Sequence, residues 1–226
     1  MSLIGHVTMQ YLNRQYPLTE EEKLKVEEER EARERAQRLS NNRLGVTVFQ
    51  VSWIMAFIAL VVTYWQLGFS PGWRPTADLA PNPILPLVAT VVIIVSGFFA
   101  RQGWKIAENT EAKAKNDLKP AFQSPWMISI VLGLLFTVIM MQQFFVMPLG
   151  DAPELRFGMI YRLMIGYHAV HAIVTLIMMW QVYRLGADHR YNSENYWAIE
   201  GSTKLWYFVI VAWLLFYAVL YTPFLS

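Results

Sequence analysis

The chain has 226 residues and a net charge of +2, with 55% hydrophobic residues, 16% charged residues and a mean hydropathy of +0.29. A soluble protein of this length rarely combines so many apolar residues with so little charge, so the composition predicts an integral membrane protein. The absence of cysteine excludes disulfides, thiolate metal sites and thiol redox chemistry. The sequence contains no basic patch typical of a nucleic-acid-binding protein.

Residues 1–40 form the first predicted region, a charged segment with a helix over 19–40. Thr19 and Glu22 have the spacing of a capping box. Opposite charges four residues apart then favour the helix, at Glu21–Lys25, Glu29–Arg33, Glu31–Arg35 and Glu34–Arg38. The helix either docks a neighbouring subunit or lies solvated near the membrane. The thin apolar stripe favours the solvated alternative.

Residues 41–226 form the second predicted region, a membrane domain with five apolar segments at 44–67, 84–99, 127–147, 159–185 and 205–225. About 20 apolar residues are needed to cross a bilayer as a helix. Backbone groups in lipid must bond within their own segment, so each segment should be helical. The predicted fold is therefore all-α: a bundle of five transmembrane helices preceded by a charged cytoplasmic helix. Because residues 1–43 contain no apolar signal-peptide core, we expect the first span to direct its own insertion.

Lysine and arginine are distributed unevenly between the two sides of these segments. Eight precede the first segment, and five more follow the second, at Arg101, Lys105, Lys113, Lys115 and Lys119. The opposite loops carry few. The positive-inside rule therefore predicts a cytoplasmic N-terminus and an external C-terminus.

Two histidines and one ion pair are the candidates for chemistry inside the membrane. His168 and His171 lie three residues apart, on one helix face, so they cannot ligate opposite faces of one haem. A metal would need further ligands, so hydrogen bonds between helices are the favoured interpretation. Glu200 and Lys204 have i,i+4 spacing at a helix start. A proton-relay role for Glu200 is the alternative, but few titratable groups accompany it.

Two arginines lie where apolar segments begin. Arg43 is expected to pair with lipid phosphate or to extend to the headgroups. Arg162 stands in the first turn of the fourth segment. It is expected to extend to the outer surface, or to contact a lipid headgroup or an acidic residue of a partner.

Three sequence motifs resemble subunit III of the haem-copper oxidases. GYHAVHA at 166–172 is similar to the family's G-F-H-G-x-H-V, and NNRLG at 41–45 is similar to its N-R-L-G. The segment EGSTKLWYFVIVAW from Glu200 is similar to E-A-A-x-x-Y-W-H-F-V-D-V-V-W, with Trp206 and Trp213 at the family spacing. The resemblance covers roughly residues 41–224 and is most specific after Tyr161.

The chain departs from the family pattern at three polar positions. Trp53 stands where the family has a glutamate, Tyr207 where it has a histidine, and Ile210 where it has an aspartate. These replacements remove proton-exchanging groups from the membrane, so they argue against proton conduction through this chain.

The resemblance implies a non-catalytic core subunit of a terminal haem-copper oxidase in a prokaryotic plasma membrane. Such a subunit packs beside the catalytic subunit I and other oxidase subunits and holds phospholipids. It carries no cofactor; haem and copper are expected in the partners. The residues implied to have structural or lipid-contact roles are Arg43, Trp53, Arg162, His168, His171, Glu200, Lys204, Trp206 and Trp213.

Two other classes stay open at this point. A stand-alone transporter or channel is disfavoured because the chain has no inverted halves and almost no polar path through the membrane. The second alternative class is an accessory subunit of a related membrane enzyme, such as a nitric-oxide reductase.

Overall fold

The computed structural model describes residues 19–70, 73, 75, 80–109, 118–149, 153–187 and 196–224, which belong to two compact units, residues 1–45 and 46–226. Within the described residues the regular structure is helical: α1 Glu20–Leu67, α2 Ile84–Asn109, α3 Leu118–Val146, α4 Pro153–Ala187, α5 Trp197–Tyr221 and a final 3-10 turn Thr222–Phe224. All five α-helices are long and apolar enough to cross a membrane. The predicted all-α membrane fold is confirmed.

The charged segment of the first unit begins with the predicted capping box. The Thr19 backbone N–H donates to Glu22 Oε2 at 2.8 Å, and the Glu22 N–H donates to Thr19 Oγ1 at 3.3 Å. Ion pairs within the helix follow, including the predicted Glu21–Lys25, Glu29–Arg33 and Glu34–Arg38. The first backbone N–H groups of a helix have no acceptor within the helix. The two reciprocal bonds satisfy two such groups and fix the beginning of α1.

The helices extend beyond the apolar segments that predicted them. The first runs without a break from the charged segment into the apolar one, and α2 continues past residue 99 to Asn109. Apolarity marks only the part of a helix that lies in hydrocarbon, whereas backbone bonding continues into the polar ends. Lys113, Lys115 and the predicted end of the fifth segment at residue 225 lie outside the described residues.

Four helices of the second unit form a closed ring. Helix α2 packs on α3, α3 on α4, α4 on α5, and α5 returns to α2. The centre is aromatic, and its largest fully buried side chains include Trp126, Phe136, Tyr161, Trp206, Trp213 and Tyr221. Outward faces carry apolar residues at helical spacing, as α2 does at Ile84, Leu87, Val88, Val91, Ile94, Val95 and Phe98. These faces suit a lipid environment.

The apolar part of α1 is packed far more loosely than the other spans. Only 6% of it is buried, against 39% to 56% in α2 to α5. Phe57 is its one buried residue, and that ring contacts Tyr167, His171 and Phe208. A few aromatic side chains therefore hold this span against α4 and α5.

Gly133 permits the closest approach inside the ring. A Cβ at this position of α3 would lie 2.7 Å from Leu176 Cδ2 and 2.8 Å from Trp206 Cζ2. Real Cβ atoms do not come so near, so the missing side chain lets α4 and α5 pack directly against the α3 backbone.

Candidate functional site

Trp206 and Trp213 join α5 to α2 through their indole nitrogens. They lie seven residues apart, two turns along one face, and both are fully buried. Trp206 Nε1–H donates to Ser96 Oγ at 3.0 Å, and Trp213 Nε1–H donates to Thr90 Oγ1 at 2.9 Å. Each indole thus finds an acceptor at membrane depth, where an unpaired N–H is costly.

Small hydroxyl groups extend this connection to α3, and they were not predicted from the sequence. The Ser96 hydroxyl donates to the Ser129 carbonyl at 2.8 Å, and the Ser129 hydroxyl donates to the Ser96 carbonyl at 2.9 Å. Trp126 of α3 in turn donates to the Met179 carbonyl of α4 at 2.9 Å. A serine within an apolar segment is the only sequence signal for such bonds, and it does not identify the partner.

His168 lies at the centre of the ring and bonds two helices, as predicted. Its ring is fully buried, and Nε2 lies 2.9 Å from the Val209 carbonyl oxygen of α5. That carbonyl can only accept, so Nε2 carries the proton. Phe57, Phe136 and Trp213 surround the imidazole at 5.6 to 5.9 Å between ring centres. Nδ1 has no hydrogen-bond partner in the described part of the chain.

His171 differs from the prediction. Its Nδ1 lies 2.7 Å from the Tyr167 carbonyl oxygen, one turn back on its own helix. The ring's contact with α1 is packing rather than a hydrogen bond, since the Trp53 and His171 rings meet edge to face at 4.2 Å. Helical geometry places the i−4 carbonyl within reach of this imidazole, which explains the local bond.

Trp53 therefore occupies the place of the family's glutamate with an aromatic surface. Its indole contacts Phe49, His171 and Phe208. The two other departures are also absorbed by packing between α5 and α2. Tyr207 donates weakly to the Gly97 carbonyl at 3.4 Å, and Ile210 is buried.

Glu200 and Lys204 form the predicted pair at the start of α5. Lys204 Nζ lies 2.6 Å from Glu200 Oε1, with the carboxylate largely buried and the ammonium about half exposed. The carboxylate lies in the first turn, where the helix dipole favours negative charge. Both members of the pair belong to α5, in agreement with their i,i+4 spacing.

Arg162 caps the end of α3, which the sequence did not predict. Its Nε donates to the Met147 carbonyl at 2.8 Å, and one Nη donates to the Phe145 carbonyl at 3.3 Å. The guanidinium also lies 5.5 Å from the Phe144 ring centre. The last carbonyls of a helix lack intrahelical donors and carry partial negative charge, so a cation there satisfies both needs. The extension of Arg162 to the outer surface, or its contact with lipid or a partner, stays a prediction, and Arg43 is exposed on α1.

Two tyrosines form a second polar contact near the same end of the ring. The Tyr161 and Tyr221 hydroxyls lie 2.5 Å apart, joining α4 to α5. Tyr161 also reaches Gln143 Oε1 of α3 at 3.4 Å. These three side chains thus hold α3, α4 and α5 together. The described residues contain no group of three or more His, Cys, Asp or Glu side chains placed to bind a metal.

Comparison with known proteins identifies a family that matches most of the chain. The profile of "Cytochrome c oxidase subunit III" matches residues 27–223. A cytochrome c oxidase subunit 3 of Synechocystis is 24% identical over 179 residues, covering 78% of this chain and 73% of the relative. The Spodoptera frugiperda protein of that name is 28% identical over 152 residues, covering 66% and 97%, and the human one is 24% identical over 186 residues, covering 79% and 68%.

Proposed function

This chain belongs to the cytochrome c oxidase subunit III family, and from that membership we propose how it serves an oxidase. It is a non-catalytic subunit of a haem-copper oxidase, a multi-pass membrane protein that associates with other oxidase subunits. The finer proposal is that it packs beside the catalytic subunit I and stabilises it. Aerobic electron transport and proton pumping are carried out by the complex as a whole.

The use of the buried polar side chains is the observation that carries this proposal. Trp206, Trp213 and His168 each make a hydrogen bond to a neighbouring helix. A catalytic or transporting chain needs groups that meet substrate or exchange protons. Here three buried polar side chains at membrane depth are committed to joining helices, which suits a scaffold for a catalytic partner.

The cofactor assignment follows from the same chemistry. His168 and His171 each use one ring nitrogen on a backbone carbonyl, and the part of the chain that the structure describes contains no group of three or more His, Cys, Asp or Glu side chains that could complete a metal site. We place haem and copper in the partner subunits and none in this chain. Phospholipid is the proposed neighbour of the outward apolar faces.

Location and orientation complete the proposal. A relative of the same name occurs in a cyanobacterium, and we propose a prokaryotic plasma membrane for this chain. The lysine and arginine distribution supports a cytoplasmic N-terminus and an external C-terminus.

Purification in a mild detergent through a tag on this chain tests the function. We expect a complex whose optical spectrum contains haem and which consumes oxygen. The control is the same chain separated from its partners, which should bind neither haem nor stoichiometric zinc, copper or iron. A haem-free single chain that moves solute across vesicles would contradict the proposal and favour a transporter. Stoichiometric metal on the separated chain, lost when both His168 and His171 are replaced, would contradict the cofactor assignment.

A further inference from the structure

The exposed part of α1 before its apolar segment has two halves of opposite charge. Residues 20–29 contain six glutamates and two lysines, a net charge of −4. Residues 30–43 contain five arginines and two glutamates, a net charge of +3. The positive half is the one that adjoins the apolar segment starting at residue 44. The near-zero total for the region conceals this separation.

The positive half lies close to the lipid headgroups. A helix rises about 1.5 Å per residue, so Arg38, Arg35, Arg33 and Arg30 lie about 7, 12, 15 and 20 Å from Arg43 along α1. The headgroup layer on each side of a bilayer is about 5–8 Å thick, and charges interact over about 8–10 Å at physiological ionic strength. Long arginine side chains add to this reach, and Arg30 lies at its outer limit.

The basic residues of this half surround the helix instead of lining one side. At about 100° per residue, Arg30, Arg33, Arg35, Arg38 and Arg43 point in five directions about 60–80° apart. A helix lying flat on a membrane would carry its cations on one face, opposite an apolar stripe. Cations spread around the helix, instead of confined to one face, suit a helix that leaves the bilayer through the headgroup layer and the water next to it. We name these five residues the arginine collar.

The composition of the collar favours phosphate as the ligand. All five cations are arginine, whereas the two in the acidic half, Lys23 and Lys25, are lysine. The planar guanidinium presents a fork of donors that matches the oxygens of a phosphate, which an ammonium does not. The collar's recorded ion pairs are exposed, with Arg33 83% and Arg38 78% accessible, so phosphate can replace their carboxylate partners at little cost.

We propose that the arginine collar is a binding site for the phosphate groups of anionic phospholipids. Anionic headgroups attract juxtamembrane cations. The acidic half beyond the collar is repelled by the same surface, so the site ends where the charge changes sign. This binding gives α1 a fixed depth in the bilayer, a role that matters because α1 is the least buried of the five spans.

Lipid retention by the full-length chain tests the proposal. The protein is reconstituted in bilayers of equal phosphatidylglycerol and phosphatidylcholine, extracted in mild detergent, and its bound lipids are counted by mass spectrometry. We expect enrichment of phosphatidylglycerol that falls about twofold or more in Arg35→Gln/Arg38→Gln and declines at high salt. The matched control, Lys23→Gln/Lys25→Gln, also removes two positive charges from α1, but about 20 Å farther from the bilayer. It should retain the wild-type enrichment.

Circular dichroism of each variant verifies that α1 remains helical. Equal enrichment in the wild type and the arginine variant, or an equal loss in the lysine control, overturns the proposal. Loss of co-purifying oxidase subunits from the arginine variant with unchanged lipid retention also overturns it, because the collar would then be a protein-docking surface.

Discussion

Single side chains in this protein show how polar groups are accommodated in a medium without water. Trp213 donates to Thr90, and the Thr90 hydroxyl donates in turn to the Pro86 carbonyl at 2.8 Å. The hydroxyl serves as acceptor and donor at once, so neither group is left unpaired.

Replacing Trp213 with phenylalanine tests the worth of one such bond. Trp213→Phe keeps an aromatic ring in the core but removes the donor to Thr90, and we expect a loss of about 1 kcal/mol in unfolding free energy. Denaturation of the purified protein by a graded addition of dodecyl sulfate measures it. Trp65→Phe, at a position 68% exposed, is the control and should change little.

A double-mutant cycle separates the bond from general packing. Thr90→Val in the Trp213→Phe background should cost less than Thr90→Val alone, because the shared bond is already gone. Strictly additive losses would show that this hydrogen bond contributes nothing.

Glu200 provides the residue-scale test of proton conduction. Its carboxylate is paired with Lys204 on its own helix. At the positions where the family has other proton-exchanging side chains, this chain has Trp53, Tyr207 and Ile210. Because these partners of a proton path are missing, we expect Glu200→Gln to leave initial oxidase turnover within about threefold of wild type. A threefold change corresponds to less than 1 kcal/mol in barrier height. Oxygen consumption by the intact complex measures it. An immediate collapse of turnover with all subunits retained would place Glu200 on a proton path.

At the scale of an element, α1 is attached to the bundle by few side chains. Phe57→Ala should release it partly from α4 and α5. Moving an apolar side chain from the protein into lipid changes its free energy little, because lipid tails are as apolar as the protein interior. The loss of stability in Phe57→Ala therefore comes mainly from the cavity, about 2 kcal/mol for a void of phenyl size. A spin label on Ser52→Cys should become more mobile in this variant. Trp65→Ala, a larger truncation at an exposed site of the same helix, should leave the label unchanged, and equal mobility in all three proteins would contradict the attachment through Phe57.

The start of α1 should depend on pH. Bonds to Glu22 from the Thr19 backbone N–H, and then from its hydroxyl, hold the pKa of the Glu22 carboxyl below its ordinary value. Because the pKa of Glu22 is lower in the folded chain than in the unfolded chain, the ionised carboxylate stabilises the helix start at any pH above the ordinary pKa. This stabilisation is lost as the pH falls through the lowered pKa. Hydrogen exchange in the first turn should therefore accelerate below about pH 4 after correction for intrinsic rates. In Thr19→Ala the first turn should be poorly protected at every pH, and an unchanged pH profile in that variant would contradict the capping box.

At the scale of the whole molecule, the charge distribution predicts which ends face the cytoplasm. The chain has no native cysteine, so single cysteines at Lys115 and Ser226 report without background. With an impermeant thiol reagent on intact cells, Ser226→Cys should be labelled and Lys115→Cys should not. Labelling only at Lys115→Cys would invert the topology.

The sequence predicted the spans well because apolarity along the chain is a local property. It predicted the Glu200–Lys204 pair and the capping box for the same reason, since both partners lie within one turn. It could not predict that Arg162 caps α3, because a backbone carbonyl is an acceptor in every residue and leaves no signature. The bond of His171 to its own helix was missed because a buried imidazole has local and distant acceptors that the sequence cannot rank.

The hydroxyl groups that receive the α5 tryptophans also bear on the order of biosynthesis. The ribosome delivers α5 after the other four spans, so Ser96 and Thr90 wait in the membrane before Trp206 and Trp213 arrive. In the folded protein each donates to a carbonyl outside α5: Thr90 to Pro86 of its own helix, and Ser96 to Ser129 of α3. Because each hydroxyl uses its proton for that bond, the lone pairs of its oxygen remain available to accept from the indole N–H. The bundle of α2, α3 and α4 can therefore stay in the membrane before α5 is added without exposing an unpaired hydroxyl proton to lipid.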